Sequence, residues 1–374
     1  MRTTEDNRLK EFARILVEQG AQIEKGDNVY LLGKSLDCLP LFEEVRRQII
    51  EKGGYPHEHL LYDSQVGSSM IDHDWIKHSS KKQLETMSEA KMEEMKRMDA
   101  YIRIGGGDNS QDLSGLDSEK ISKWNKTTEK LLDERLDTKW VATRFPTSGM
   151  AQNADMSTAE FEKLAFNAVV DQDYEELEEK NQKVKEKFDN AEKVRIVGEN
   201  TDITLSLGNR EGVKASGRNN IPDGEVFYAP VKNSVNGEIE FTYPGVYNGN
   251  EVHGIKLEFE DGKVVDFSAD ENEGFLKEML NTDEGAKYLG ELGIGTNRMI
   301  TDFVKDTLFD EKMGGTIHMA LGRAYEECVP EEDERNTSGI HWDIVKDLRP
   351  RAKGGKIIVD GEVVQEDGEW QFPV

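Results

Sequence analysis

The chain has 374 residues, of which 36% are hydrophobic and 33% charged, enough apolar mass for a buried core and for two domains. Its 75 acidic and 48 basic residues leave a formal charge of -27, which repels nucleic-acid phosphates and anionic membrane surfaces and excludes both as expected partners. The two cysteines, Cys38 and Cys328, have no paired spacing, so neither a disulfide framework nor a zinc-thiolate site is expected, and any metal must use carboxylates and imidazoles.

Taken in chain order, Leu9, Phe12, Ala13 and Leu16 follow the helical period up to Gly20, and Val29–Gly33 reads as a short buried strand. Leu41, Phe42, Val45 and Ile49 repeat the period up to Gly53-Gly54, and His57–Tyr62 is the next strand. A helix over Lys82–Met98 and strands at Tyr101–Ile104 and Trp140–Thr143 continue the alternation, which predicts an α/β domain with an open, mostly parallel sheet over residues 1–190. The loop Gly105-Gly-Gly-Asp108 lacks the spacing of a phosphate loop. Asp171–Asn190, with its Glu175–Glu179 acidic run, reads as a solvated helix leading to the second domain.

Beyond Lys193 the texture becomes β-rich, with strands expected at 194–197, 204–207, 238–242, 254–259 and 264–267 and helices near 273–280 and 301–308. A hairpin over Lys356–Val364 turns at Asp360-Gly361. Residues 191–374 are therefore expected to form an α+β, β-rich domain. No membrane-spanning apolar run is visible, and the start at Met1-Arg-Thr-Thr-Glu lacks the basic and then apolar pattern of a secretory signal, so a cytoplasmic location is expected. The acidity also fits a medium of high ionic strength.

Chemistry concentrates in the second domain. His341-Trp-Asp343 in an extended context puts an imidazole and a carboxylate on one strand face, as a shared metal site requires. His318 lies in the apolar strand Gly314–Gly322, where His318 and Ala320 face one way and Ile317, Met319 and Leu321 the other, and Tyr325 follows seven residues later. Glu225 follows a Pro-Asp-Gly turn at the start of an apolar strand, which holds its side chain at an element end. Glu291 is a lone acid in the Gly-flanked apolar segment 285–295, where burial demands a partner such as a metal ion. In the first domain, His57-Glu-His59 and Asp72-His-Asp74 could bind metal, but neither has an evident third ligand and both read as structural.

The segments Gly224-Glu225, Tyr288–Asn297, Leu308-Phe-Asp-Glu-Lys312, Ile317–Tyr325 and His341-Trp-Asp343, with Gly26-Asp27-Asn28 and Trp140–Thr147 in the first half, resemble the metallo-aminopeptidases of the aminopeptidase T and aminopeptidase S family. The resemblance runs through nearly the whole chain. It implies two divalent ions, of zinc, cobalt, manganese or magnesium, bound in the second domain by Glu225, Glu291, His318, His341 and Asp343, with Tyr325 at the site. Glu311 matches a family glutamate before the histidine strand, although two extra residues separate it from His318. The resemblance further implies a homodimer enclosing a cavity that admits short peptides.

Nitrogen and oxygen ligands without thiolate suit such ions, and a pair of them polarises a scissile carbonyl and acidifies a water. Glu225 or Glu311 would then carry the proton, and Tyr325 would stabilise the oxyanion or ligate. The same chemistry serves an amidase or phosphoesterase, and a protein that binds peptide or metal without turnover is the remaining alternative.

Overall fold

The computed structural model describes residues 6–61, 73–107, 109, 115–189, 191–208, 210–247, 249–329, 331 and 334–374. Tyr62, Asp72, Asp108 and Asn190, each part of a segment expected above, lie outside the described residues.

The chain divides into two compact units, the first comprising 1–171 with 217–222 and the second 172–216 with 223–374. In the first unit, strands Tyr55–Leu60, Asn28–Gly33, Ala100–Gly105, Lys139–Arg144 and Asn220–Ile221 lie in that spatial order, each pair parallel. All six residues of Ala100–Gly105 are buried, as a strand covered on both faces requires. Asp6 caps the first helix, Asn7–Arg14, through Arg8 N, and that helix buries the expected Leu9, Phe12 and Ala13 before a π-type turn carries it to Gly20. The expected helix over 82–98 is two short helices, Lys81–Leu84 and Glu89–Met95, because the Ser88 hydroxyl accepts from Lys91 N and starts a new helix there.

In the second unit an eight-stranded antiparallel sheet, which includes Val194–Gly198, Thr201–Leu205, Asn236–Glu240 and Lys256–Glu260, shares one buried core with a five-stranded antiparallel sheet. Ile196, Ile203, Ile239 and Leu257 from the larger sheet meet Val226, Leu292, Met319 and Trp342 from the smaller. The smaller sheet runs His341–Asp347, Thr316–Gly322, Leu289–Gly295, Glu225–Tyr228 and Val213–Ala215 in spatial order. Of the segment 301–308, only its end is helical, in Thr307–Asp310, where Asp306 accepts from Leu308 N as the cap.

The acidic segment expected to be a solvated linker is instead a packed part of the second unit. Its helix, Tyr174–Phe188, carries a buried stripe of Tyr174, Leu177, Asn181, Val184 and Phe188 on its inner face, and the four glutamates of the 175–179 run occupy other positions. Asn181 Nδ2 donates to Ala215 O at 3.0 Å and to Glu225 O at 3.3 Å, while its Oδ1 accepts from Thr296 Oγ1 at 2.7 Å. The helix thereby fastens the strand on which Glu225 sits.

Candidate metal centre

The smaller sheet brings its polar residues together by parity. Along each strand alternate residues face the core, so Val226, Leu292, Met319, Trp342 and Ile344 go inward and Glu225, Glu291, His318, His341 and Asp343 share the other face. Register then sets their spacing. Glu291 and Asp343 both lie opposite Ala320, one on each side, and His318 lies opposite Gly293. A methyl group at position 293 would fall on the His318 ring, so the glycine is what leaves room for the imidazole. At the start of the Glu225 strand Gly224 has φ +135° and presses against Asn297, with an added Cβ coming 2.7 Å from Asn297 Cβ.

Both histidines are oriented through Nδ1. His318 Nδ1 donates to Glu311 O at 3.1 Å and His341 Nδ1 donates to Arg323 O at 2.7 Å; since a carbonyl can only accept, each Nε2 is left facing the cluster. His318 Nε2 lies 2.9 Å from Glu291 Oε1 and 3.6 Å from Glu225 Oε2. His341 Nε2 lies 3.4 Å from Asp343 Oδ1 and 3.9 Å from Glu291 Oε2. The two oxygens of Glu291 therefore face two different imidazoles.

Donor atoms gather within 4.8 Å of one another in three overlapping sets: Glu225, Glu291 and His318; Glu291, His341 and Asp343; and Glu311, His318 and Asp343. Despite the extra residues before His318, the turn after Thr307–Asp310 delivers Glu311 to the cluster. Glu225 Oε2, Glu291 Oε2 and Asp343 Oδ1 are buried and accept no hydrogen bond. A buried carboxylate oxygen without a donor is costly, and a divalent cation is what such oxygens together with inward imidazole nitrogens fit. Tyr325 stands beside them, its ring centroid 4.5 Å from that of His341.

The crowding sets the protonation. Burial raises Glu225 to about 7 against the pull of the Lys312 charge, and burial also raises Glu311. At His318 burial opposes the charged ring, but the hydrogen bond to Glu291 and the charges of Glu225 and Glu291 outweigh it and push the imidazole up to about 10. His341 is likewise raised to about 9, with Asp343 overcoming burial, and Asp343 is held down to about 2 by His341 and His318 in spite of its burial. Burial and the carboxylates of Glu291 and Asp343 keep the Tyr325 phenol protonated.

Two residues here were not singled out from the sequence. Lys312 is fully buried with its Nζ 3.4 Å from Glu225 Oε1 and in contact with Glu311 Oε1, and Asn181 holds the Glu225 strand from the neighbouring helix. A lysine next to a candidate ligand and an asparagine on an apolar helical stripe are the signals that mark them. The histidine pairs of the first unit have local partners: His57 Nε2 meets Asn28 Oδ1 at 3.3 Å, His59 Nε2 meets Glu94 Oε1 at 3.0 Å, and His73 Nδ1 meets Asp74 Oδ1 at 3.3 Å. Cys38 and Cys328 are both buried free thiols.

A family described as thermophilic metalloprotease (M29) matches residues 5–370. Aminopeptidase 2 of Geobacillus stearothermophilus is 26% identical to this chain over 98% of each. Among solved structures, wild-type AmpT from Thermus thermophilus matches with a TM-score of 0.81 over 98% of this chain and 99% of that one, at 22% identity. A 2,5-dihydroxypyridine dioxygenase from Pseudomonas putida KT2440 matches with a TM-score of 0.59 over 100% and 99% of the two chains, at 13% identity. Those structural likenesses establish the fold, and a fold shared with a dioxygenase leaves the reaction to be argued from the site. The family match covers nearly the entire chain and its metal dependence suits the donors gathered on the smaller sheet: the chain belongs to the M29 family of metalloproteases.

Proposed function

We propose that this metallo-aminopeptidase removes the N-terminal residue from short peptides, using two divalent ions held by Glu225, Glu291, Glu311, His318, His341 and Asp343. The observation that carries the reading is Glu291, whose two oxygens face the inward nitrogens of two different histidines and so suit a bridge between two ions. When bound, the ions supply Lewis acidity that polarises the scissile carbonyl and acidifies a water. The rest is the work of the chain. His318 and His341 present Nε2 because two main-chain carbonyls hold Nδ1.

Glu311 is the proton carrier in this reading. It is the most exposed of the site glutamates, 17% against 7% for Glu225 and 6% for Glu291, and it lines a cleft with Val246, Phe303 and Val345, where it can take a proton from water and return it to the leaving amine. Tyr325, kept protonated, donates to the oxyanion of the tetrahedral intermediate. The ions are zinc, cobalt, manganese or magnesium, and the protein acts in the cytoplasm as a homodimer; light scattering at twice the chain mass tests the dimer.

The decisive experiment strips the protein with a chelator and titrates back each metal, reading leucyl-p-nitroanilide hydrolysis and metal content together. Activity is expected to return with two ions per chain and to vanish in His341→Ala and Glu291→Ala. Glu311→Gln, whose amide oxygen can still ligate, is expected to keep at least the ion held by Glu291, His341 and Asp343 while kcat falls about 100-fold or more. Failure of every metal to restore cleavage of this substrate and of a panel of di- and tripeptides would overturn the peptidase reading.

A further inference from the structure

Lys312 has no part in the ligand set, yet it is a fully enclosed charge at the site. Its side chain is 0% exposed, its Nζ stands 3.4 Å from Glu225 Oε1 and touches Glu311 Oε1, and its main-chain oxygen accepts from Asn297 N at 3.0 Å, which fixes where the side chain starts. The cluster is thus electrically lopsided. At the Glu225 end an ammonium already offsets part of the carboxylate charge, whereas at the far end the ion pairs of Glu291 and Asp343 among the described residues are with His318 and His341, groups that become neutral when they ligate.

We propose that Lys312 is a built-in counter-charge that makes the two ion positions unequal, weakening the one served by Glu225, Glu291 and His318 and leaving the one served by Glu291, His341 and Asp343 tight. This rests on the two-ion reading above. The ammonium and a divalent ion compete for the Glu225 carboxylate, and in a buried site the repulsion between the two cations is poorly screened. Lys312 is a positioning residue: it holds Glu225 Oε1 and Glu311 Oε1, and Glu225 Oε2 is left facing His318. Filling of the weaker position would then follow the free metal concentration over a range in which the tighter one is already full.

The test is titration of the chelator-treated full chain with cobalt, followed by calorimetry and by the visible absorption of the bound ion, for the wild type, Lys312→Met, Lys312→Gln and Lys312→Arg. The wild type is expected to bind two ions with separated affinities. Loss of the charge in Lys312→Met is expected to tighten the weaker position about tenfold or more while the tighter one moves less than about threefold, and Lys312→Arg is expected to keep the wild-type gap. Structural damage loosens metal sites and does not tighten them, so the sign separates the proposal from a scaffold role. If Lys312→Met does not fold, Lys312→Gln, which keeps a hydrogen-bond donor and drops the charge, carries the same expectation. A folded neutral variant whose weaker position is unchanged or looser overturns the proposal and leaves the two-ion reading standing. A wild type that binds one ion removes both.

Discussion

His318 and His341, held through Nδ1, must each give up a proton from Nε2 before they can ligate, and their shifts to about 10 and about 9 mean that both are protonated near neutral pH. The sign follows directly: a raised pKa makes the metal compete with protons, so metal affinity rises with pH until it passes those values. Calorimetric titration in buffers of different ionisation enthalpy should register the two imidazole protons per chain near pH 7 and a further fraction from Glu225, itself raised to about 7, and a pH-independent affinity would contradict it. At Gly293 the prediction is steric. Gly293→Ala places a methyl on the His318 ring, which must swing away, so metal affinity should fall by at least about tenfold, with an overpacking cost to stability of about 1–3 kcal/mol, read by cobalt titration and thermal unfolding. The sequence made most of these residues visible because an acid or an imidazole in an apolar strand is a conflict that burial alone cannot resolve. Lys312 escaped because a lysine in a chain with so many charges is unremarked until its burial is known, and burial is a property of the fold.

At the scale of elements, the His341 strand ends in Asp347, a fully buried carboxylate that accepts from Arg349 Nε at 2.8 Å, Arg351 Nε at 2.9 Å and the Tyr243 hydroxyl at 2.9 Å. Burial opposes its ionisation, but the arginines outweigh burial and hold the carboxyl down to about 2. A depressed carboxyl stabilises the fold above its unfolded value near 4, and that contribution is lost as pH falls through about 2. Urea unfolding between pH 5 and pH 2 should therefore show stability dropping across this window, and Asp347→Asn should be less stable at pH 5 and show a shallower drop. The strands that carry the site were legible because their two faces differ: Ile317, Met319 and Leu321 alternate with His318 and Ala320, and no other structure suits that period. Helix limits were less legible. The period over 82–98 continues across a break made by one serine hydroxyl, and the helix Ser118–Leu136 went unread because, of its described residues, only Thr128 and Leu131 are buried, too thin a stripe to stand out. The strand Asn220–Ile221, two residues long and paired with Lys139–Arg144, carries no period at all.

For the whole molecule, the charge of -27 is the property that no single site explains. Self-repulsion among so many carboxylates weakens the compact state at low ionic strength and is screened as salt rises, so the unfolding midpoint should increase from low to molar KCl; a flat or falling curve would remove the high-salt reading. The change of texture near Lys193 was legible in the sequence. The return of residues 217–222 to the first unit was not, since six residues without a repeating pattern give no local signal of where they pair.

The donors of the candidate metal cluster run from residue 225 to residue 343, and the last two, His341 and Asp343, lie on the edge strand of their sheet. Donors so far apart in sequence come together late. A chain still being synthesised, or cut before residue 341, lacks the donors of His341 and Asp343 and can complete only the set of Glu225, Glu291 and His318, so uptake of the full complement of ions reports a finished second unit. Pulse labelling of amide exchange during refolding, with and without cobalt, would accordingly show the same early protection and differ only in the final step.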